Sequence, residues 1–232
     1  MTLLRIFLCM LSVFAALSPQ ACATTYSAEP IEAWVVDADS GQPVEGVVVT
    51  ANWQLVSGSL AGGEIPKGQL RVMETVTDRS GRFYFEGWTK GNLTTAELRN
   101  QDPQILMFKP GYKFYRFVSD YPISAIPLGS HRKSAISGRT IQLEKYRGTS
   151  GDSRNFSQLN YELGHIIDTD GTECEWKNFP KMLAAVQHQE TTFRKSAVVE
   201  FSSIAARLRQ NEKFYLEKGC ESPNEFLRGL DR

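Results

Sequence analysis

Two phrases decide the fold: IEAWVVDADSGQPVEGVVVTANW at residues 31–53 and VTDRSGRFYFEGW at residues 76–88. In the first, Trp34, Val35 and Val36 favour a strand over residues 31–37. Asp39, Ser40 and Gly41 then read as a tight turn, because Asp and Ser bond the local backbone and Gly accepts positive φ. Pro43 suits a strand start, where its missing N–H is tolerated. Val47, Val48 and Val49 are apolar on both faces, which predicts a strand over 44–53 in the middle of a sandwich, with Gly46 marking a bulge. In the second phrase, residues 78–81 form another turn. Residues 82–86 then alternate, with Phe83 and Phe85 on one face and Arg82, Tyr84 and Glu86 on the other.

Working outward, strands are expected at 71–77, 104–109, 113–119 and 139–144, with Pro110 and Gly111 turning the chain between the middle pair. Residues 54–70 are rich in Gly and Ser and read as a long loop. About seven short strands separated by turn signals predict an all-β sandwich over 31–146. Residues 147–153 read as a linker. From 154 to 232 the character becomes helical.

The pattern V-x-D-x-x-S-G-x-P-V-x-G-V-x-V (Val35 to Val49), T-D-x-x-G-x-F-x-F (Thr77 to Phe85), K-P-G-Y (Lys109 to Tyr112) and a closing strand (Thr140 to Leu143) resembles the carboxypeptidase regulatory-like, or transthyretin-like, domain family. The resemblance covers about half the chain and implies a transthyretin-like sandwich. Its motifs are turn and core residues, so they speak to fold more than to function. Hydroxyisourate hydrolase shares that fold, and Tyr146-Arg147-Gly148-Thr149 is similar to its closing motif. Trp34 stands where that enzyme family carries its catalytic His, and the motif there ends the chain. Without the histidine the hydrolysis lacks a general base, so that reading is set aside.

In the helical region Phe156, Leu159, Leu163 and Ile166 recur at spacings of three and four, which predicts a short helix within 155–167. Residues 181–218 contain no Gly or Pro. Met182, Leu183 and Val186 form one apolar face, and Val198, Phe201, Ala205 and Leu208 another. One helix over this stretch would exceed about 50 Å at 1.5 Å per residue, yet a Cys174–Cys220 disulfide needs Cα atoms within about 7 Å. If the bridge forms, the stretch folds back as a stapled hairpin, with the bend expected at Thr191 and Thr192. A terminal helix is expected at 221–230, with Pro223 in its first turn.

The N-terminus reads as an export leader over 1–23. Arg5 precedes an uncharged apolar run at 6–17, too short for a span of about 20 residues. Ala21, Cys22 and Ala23 form an A-x-A type cleavage site. Two readings stand: cleavage after Ala23, or acylation of Cys22 as in a lipoprotein, a motif from which Pro19 departs. Residues 24–30 read as a polar tether. Cys9 leaves with the leader, so Cys174 and Cys220 remain as an even pair for a disulfide in an oxidising compartment. Localisation is therefore expected in the periplasm or medium, or at the outer membrane.

The 26 basic and 26 acidic residues balance, which gives nucleic acid no basic surface. His131, His165 and His188 lack ligand spacing, Asp37 and Asp39 lack an EF-hand pattern, and no nucleophile elbow occurs. No catalytic residue, metal or cofactor is expected. Strand parity assigns Trp34, Phe83 and Phe85 to the core. Trp88 and Tyr121, beside chain-breaking residues, are the candidate contact surface, together with loops 54–70, 88–103 and 120–138. The expected role is non-enzymatic binding or scaffolding in the bacterial cell envelope, toward an envelope protein or glycan. The alternatives are carbohydrate binding, or an enzyme or enzyme accessory with a site at the junction of the two halves, where Glu162, His165 and Asp168 would line a cleft.

Overall fold

The computed structural model describes residues 24–60, 63–98, 102–117, 119, 129–167, 174–195 and 203–230. Residues 1–23, with Cys22, and Tyr121, Asp168, Val198 and Phe201 lie outside the described residues. Among the described residues, eleven strands lie in three sheets, followed by helices. The chain is thus β-rich with a helical C-terminal part, with more strands than the seven expected.

Strand β2 (Ile31–Asp37) alternates as predicted: Ile31, Ala33, Val35 and Asp37 are buried. Its neighbours are β5 (Arg82–Phe85), antiparallel, and β11 (Thr140–Leu143), parallel. Phe83 and Phe85 enter the core, whereas Trp34 does not. It has the opposite parity to Ala33 and Val35 and stands half-buried beside Arg82 and Thr140 on the outward face.

Residues 24–30 are no free tether. Strand β1 (Thr24–Ala28) pairs with β6 (Trp88–Asn92) and β10 (His131–Arg132). The order β10-β1-β6 repeats β11-β2-β5, so the two three-stranded sheets form one layer, broken near Pro30 and Gly87. A Cβ on Gly87 would lie 3.0 Å from the Ala28 carbonyl oxygen and 3.1 Å from Pro30 Cδ, which explains the small residue at the break.

The third sheet runs β4 (Glu64–Val76), β3 (Val48–Gly58), β8 (Gln104–Phe108), β9 (Tyr115–Phe117), with β7 (Glu97–Leu98) also on β3. Residues 54–58 and 64–70 are therefore paired arms of a β-hairpin, where a long loop was expected. Register shifts between Trp53 and Gln54 and between Gln54 and Val56 break the period-two pattern. Pro66 is tolerated because β4 is an edge strand. Likewise, β6 and β7 occupy part of the expected loop 88–103. Gly46 does not mark a bulge; with φ of 79° it turns the chain into β3. Thr77 pins that segment, its hydroxyl donating to the Val44 carbonyl at 2.7 Å and accepting from Val47 N–H at 2.8 Å.

Helix α1 (Ser150–Ile167) starts inside the expected linker. Asp152 accepts from Arg147 and Thr149 N–H at 2.8 and 2.9 Å, which ties up the entry to the helix. Phe156, Leu159, Leu163 and Ile166 are all fully buried. After a 3-10 turn (Glu175–Asn178) come α2 (Pro180–Lys195), α3 (Ile204–Gln210), α4 (Glu212–Glu217) and α5 (Pro223–Gly229). Helix α2 continues through Thr191 and Thr192 as far as Lys195, so the chain does not leave the helix at the expected bend. Their hydroxyls bond back to the Gln187 and His188 carbonyls, which accommodates both residues within the helix. Beyond the described end of α2 at Lys195, α3 and α4 lie between Ser203 and Cys220. Cys174 and Cys220 form a disulfide with Cα atoms 5.4 Å apart. Ser222 caps α5, with Pro223 at its start.

The helices cover the outer face of the β3 sheet. Val49, Ala51, Ile105 and Met107 point to the core between the strand layers, and Val48, Leu106 and Phe108 to a second core with α1 and α2. The result is three layers, strand on strand on helix. That explains why Val47, Val48 and Val49 read as apolar on both faces.

Candidate functional site

The seam between the β3 sheet and α1 opens at one end into a cleft of about 500 Å³. Strand β3 contributes Asn52 and Trp53, the segment before β8 contributes Asp102, and β8 and β9 contribute Gln104 and Arg116. Helix α1 supplies Tyr161, Glu162 and His165 from one side, since i, i+1 and i+4 all border the cleft at helical spacing. Glu162 and His165 thus come together as the junction reading expected; Asp168 lies outside the described residues.

Glu162 is buried, and its side chain organises this wall. One carboxylate oxygen accepts from Gln104 Nε2 at 2.7 Å, the other from Gln158 Nε2 at 2.8 Å, and Arg116 lies 3.3 Å away. Gln104 in turn accepts from Asn52 Nδ2 at 3.5 Å. This chain of contacts joins sheet to helix and fixes the Arg116 guanidinium beside its counter-charge. His165 stands exposed with its ring edge-on to Tyr161 at 4.4 Å.

Residues of the other wall also carry polar atoms that are enclosed by protein and that the fold leaves unmatched. Asp102, 8% exposed, uses one oxygen to accept from Ala135 N–H at 2.7 Å and from the Ser134 hydroxyl. Its other oxygen, Asn52 Oδ1 and Trp53 Nε1 have no hydrogen-bond partner among the described residues. Such groups cost free energy in a dry interior. Asn52 was the legible signal here: an amide inside a strand otherwise reading as buried on both faces.

Trp88, expected at the surface, is buried. It is only 6% exposed, with its indole edge-on to Trp53 at 5.1 Å, because β6 pairs with β1 and turns the ring into the core. Tyr121 lies outside the described residues. The turn aspartates act as turn aspartates. Asp37 accepts from Asp39 N–H, Ser40 N–H and the Ser40 hydroxyl through one oxygen, and from the Tyr112 hydroxyl at 3.0 Å and Lys145 Nζ at 2.7 Å through the other. Lys145 first, then Ser40 N–H, hold its carboxyl well below the usual range. Among the described residues no three His, Cys, Asp or Glu side chains are grouped to hold a metal. His131 bonds Ser27 at 2.8 Å and lies 3.4 Å from Glu29 on the surface.

No protein-family model and no curated protein matches the chain. Solved structures that align with the chain show only slight similarity. A Streptococcal ancillary pilin aligns at TM-score 0.22 and 11% identity over 51% of this chain and 30% of the pilin. A 9R-lipoxygenase from Cyanothece PCC8801 aligns at 0.26 and 7%, over 84% of this chain and 28% of the lipoxygenase. Neither likeness is close enough to define a class. No helix among the described residues is long and apolar enough to cross a membrane.

Proposed function

We propose that this chain is an exported, non-enzymatic binding protein of the bacterial cell envelope. In this reading its β half is a transthyretin-like sandwich of the carboxypeptidase regulatory-like kind, and its recognition site is the junction cleft. The observation that carries it is the cleft itself, polar on two walls built by different layers and joined through Glu162. Recognition sites commonly form where rigid layers meet. The disulfide suits an oxidising compartment. The turn motifs support the sandwich assignment: Gly81 has φ of 72° and a Cβ there would lie 2.3 Å from the Val35 carbonyl oxygen, so this turn demands glycine.

An enzymatic or enzyme-accessory reading has one observation in its favour, since Glu162 and His165 both border the cleft. Both Glu162 oxygens are engaged by Gln104, Gln158 and Arg116, which commits the carboxylate to holding sheet and helix together. Binding is therefore the better reading. The test is the intact mass of the protein from fractionated cells, with and without reductant. The expected product starts at Thr24 or at acylated Cys22 and gains two hydrogens on reduction. A cytoplasmic chain that keeps its leader would overturn the export reading.

A further inference from the structure

We infer that one end of the β half, where the hairpin tip of β3 and β4 and the turn after β6 come together, rests on a phospholipid bilayer into which Leu60 and Leu93 insert. This rests on the export reading, in its acylated form, and adds the surface on which the exported protein sits.

The topology gathers this end from three parts of the chain. Thr24, the first described residue, pairs with Asn92, so β1 begins beside the turn that follows β6. Strand β7 runs antiparallel to β3, with Leu55 opposite Leu98 and Val56 opposite Glu97. The turn that leads into β7 therefore lies at the end of β3 that carries the hairpin tip. Leu60 on the tip is fully exposed and Leu93 in the turn is 88% exposed, the two highest values of any large apolar side chain among the described residues. Ile65, at the start of β4, is a third exposed apolar side chain here. Apolar side chains exposed singly need no explanation. The two most exposed ones sharing an end do.

The build of both tips suits an apolar medium. Residues 55–63 and 91–96 carry no charged side chain, so their entry strips water from no ion. In the turn, Asn92 donates to the Ala96 carbonyl and accepts from Thr94 N–H at 3.0 Å and from the Thr94 hydroxyl at 2.8 Å; Ala96 N–H donates to that hydroxyl at 3.2 Å. In the hairpin tip, Ser59 N–H donates to the Gly63 carbonyl at 3.0 Å. Backbone groups with internal partners lose nothing when a tip leaves water. Glu64, Lys67, Lys90 and Glu97 flank the tips in sequence, two of each sign, so apolar insertion and not anionic lipid selects the surface.

The chain that precedes Thr24 makes a bilayer the occupant. Cys22 stands two residues before Thr24, a reach of about 7 Å. An acyl chain on that cysteine holds this end of the molecule, and no other, against lipid. Two leucines alone dock weakly, and an acyl anchor beside them supplies the further signal that stable attachment requires.

The experiment places a nitrobenzoxadiazole dye on single introduced cysteines. The full chain is expressed with its leader, purified from the cell envelope with its disulfide intact, labelled, and put into vesicles of phosphatidylethanolamine and phosphatidylglycerol. The sites are Leu60→Cys, Leu93→Cys and, on α4, Leu216→Cys, all exposed positions. Lipids with a quencher in the acyl chain should quench the labels at 60 and 93 about threefold more than the label at 216, as befits groups sunk to the headgroup boundary. A label at Thr95→Cys, exposed in the same turn, should be quenched likewise. It should lose most of that quenching in the double variant Leu60→Asp, Leu93→Asp, whose melting midpoint should not move. Equal quenching at 60, 93 and 216 would overturn the inference. So would quenching at 95 that the double variant leaves unchanged, or label shifts that grow with protein concentration in the absence of vesicles, which would make a second copy the occupant. An exported chain that starts at Thr24 without an acyl group would overturn it and leave the export reading standing, whereas a cytoplasmic chain would overturn both.

Discussion

The two faces of the β3 sheet are closed by different means. On the inner face, Val49, Ala51, Ile105 and Met107 join Ala33, Val35, Phe83 and Phe85 in one hydrophobic cluster. On the outer face an apolar centre of Val48, Leu106 and Phe108 against Phe156 and Leu159 is ringed by directional bonds. Asn155 holds the Phe114 backbone on both sides, accepting at 2.8 Å and donating at 3.1 Å. Glu74 on β4 accepts from Lys181 and Met182 N–H at the start of α2, and Gln189 accepts from Gly111 N–H. Burial is non-directional, whereas polar clamps fix register. A layer that docks through a polar rim also leaves room, where the rim opens, for a polar cleft.

The sharpest way to break this comparison is to hollow each face in turn. Phe83→Ala and Phe156→Ala should each cost about 3–5 kcal/mol, because both rings are fully buried or nearly so. The same strands carry both faces, so melts followed by far-ultraviolet dichroism and by tryptophan fluorescence should coincide in both variants. An early helical transition in Phe156→Ala alone would make the helices a separable unit.

Removing the disulfide is the next test. The double variant Cys174→Ala, Cys220→Ala opens a loop with a sequence separation of 46. It should lose about 2–4 kcal/mol, read by denaturant melts. Amide exchange should rise first in α4, α5 and the 3-10 turn, while β2 and β3 stay protected. Equal exchange gains in β2 would show that the bridge supports the strand layers too.

What the sequence made legible divides along the same lines. Turn chemistry at 39–42 and 78–81 and the strict alternation of β2 and β5 are local and period-bound, and β2 falls on residues 31–37 as expected. The helical spacing of Phe156, Leu159, Leu163 and Ile166 marked α1 equally well. The misses share a cause in tertiary context. β4 tolerates Pro66 and Gly68 because it is an edge strand with a shifted register. β1 is short and polar and exists through pairing with β6 and β10. Trp88 beside Gly87 looks exposed in one dimension, and only β1–β6 pairing turns it inward. In the cleft, Glu162 and His165 were visible because they sit on one helix. Asn52, Asp102 and Arg116 come from separate strands and segments, and no spacing rule joins them.

The smallest effect concerns two carboxylates, one on each side of the comparison, which should respond to pH with opposite sign. Asp37 is held well below the usual carboxylate range, chiefly by Lys145 and then by Ser40 N–H, against the cost of burial. Its contribution is complete above the unfolded value of about 3.9 and is lost as pH falls toward the folded value. Glu74 is raised, because burial outweighs the Met182 and Lys181 N–H bonds and the Lys181 charge. Its contribution is complete below the unfolded value of about 4.3 and is lost as pH rises through the folded value. Denaturant midpoints measured from about pH 3 to pH 7 should therefore separate the variants. Asp37→Asn should lose stability relative to the unsubstituted protein at neutral pH, and the gap should narrow on acidification. Glu74→Gln should improve relative to it as pH rises past about 4.3, since the amide carries no charge to bury. Parallel pH curves for both variants would mean that neither carboxylate titrates differently in the folded state, and the contrast between the turn and the helix seam would then rest on packing alone.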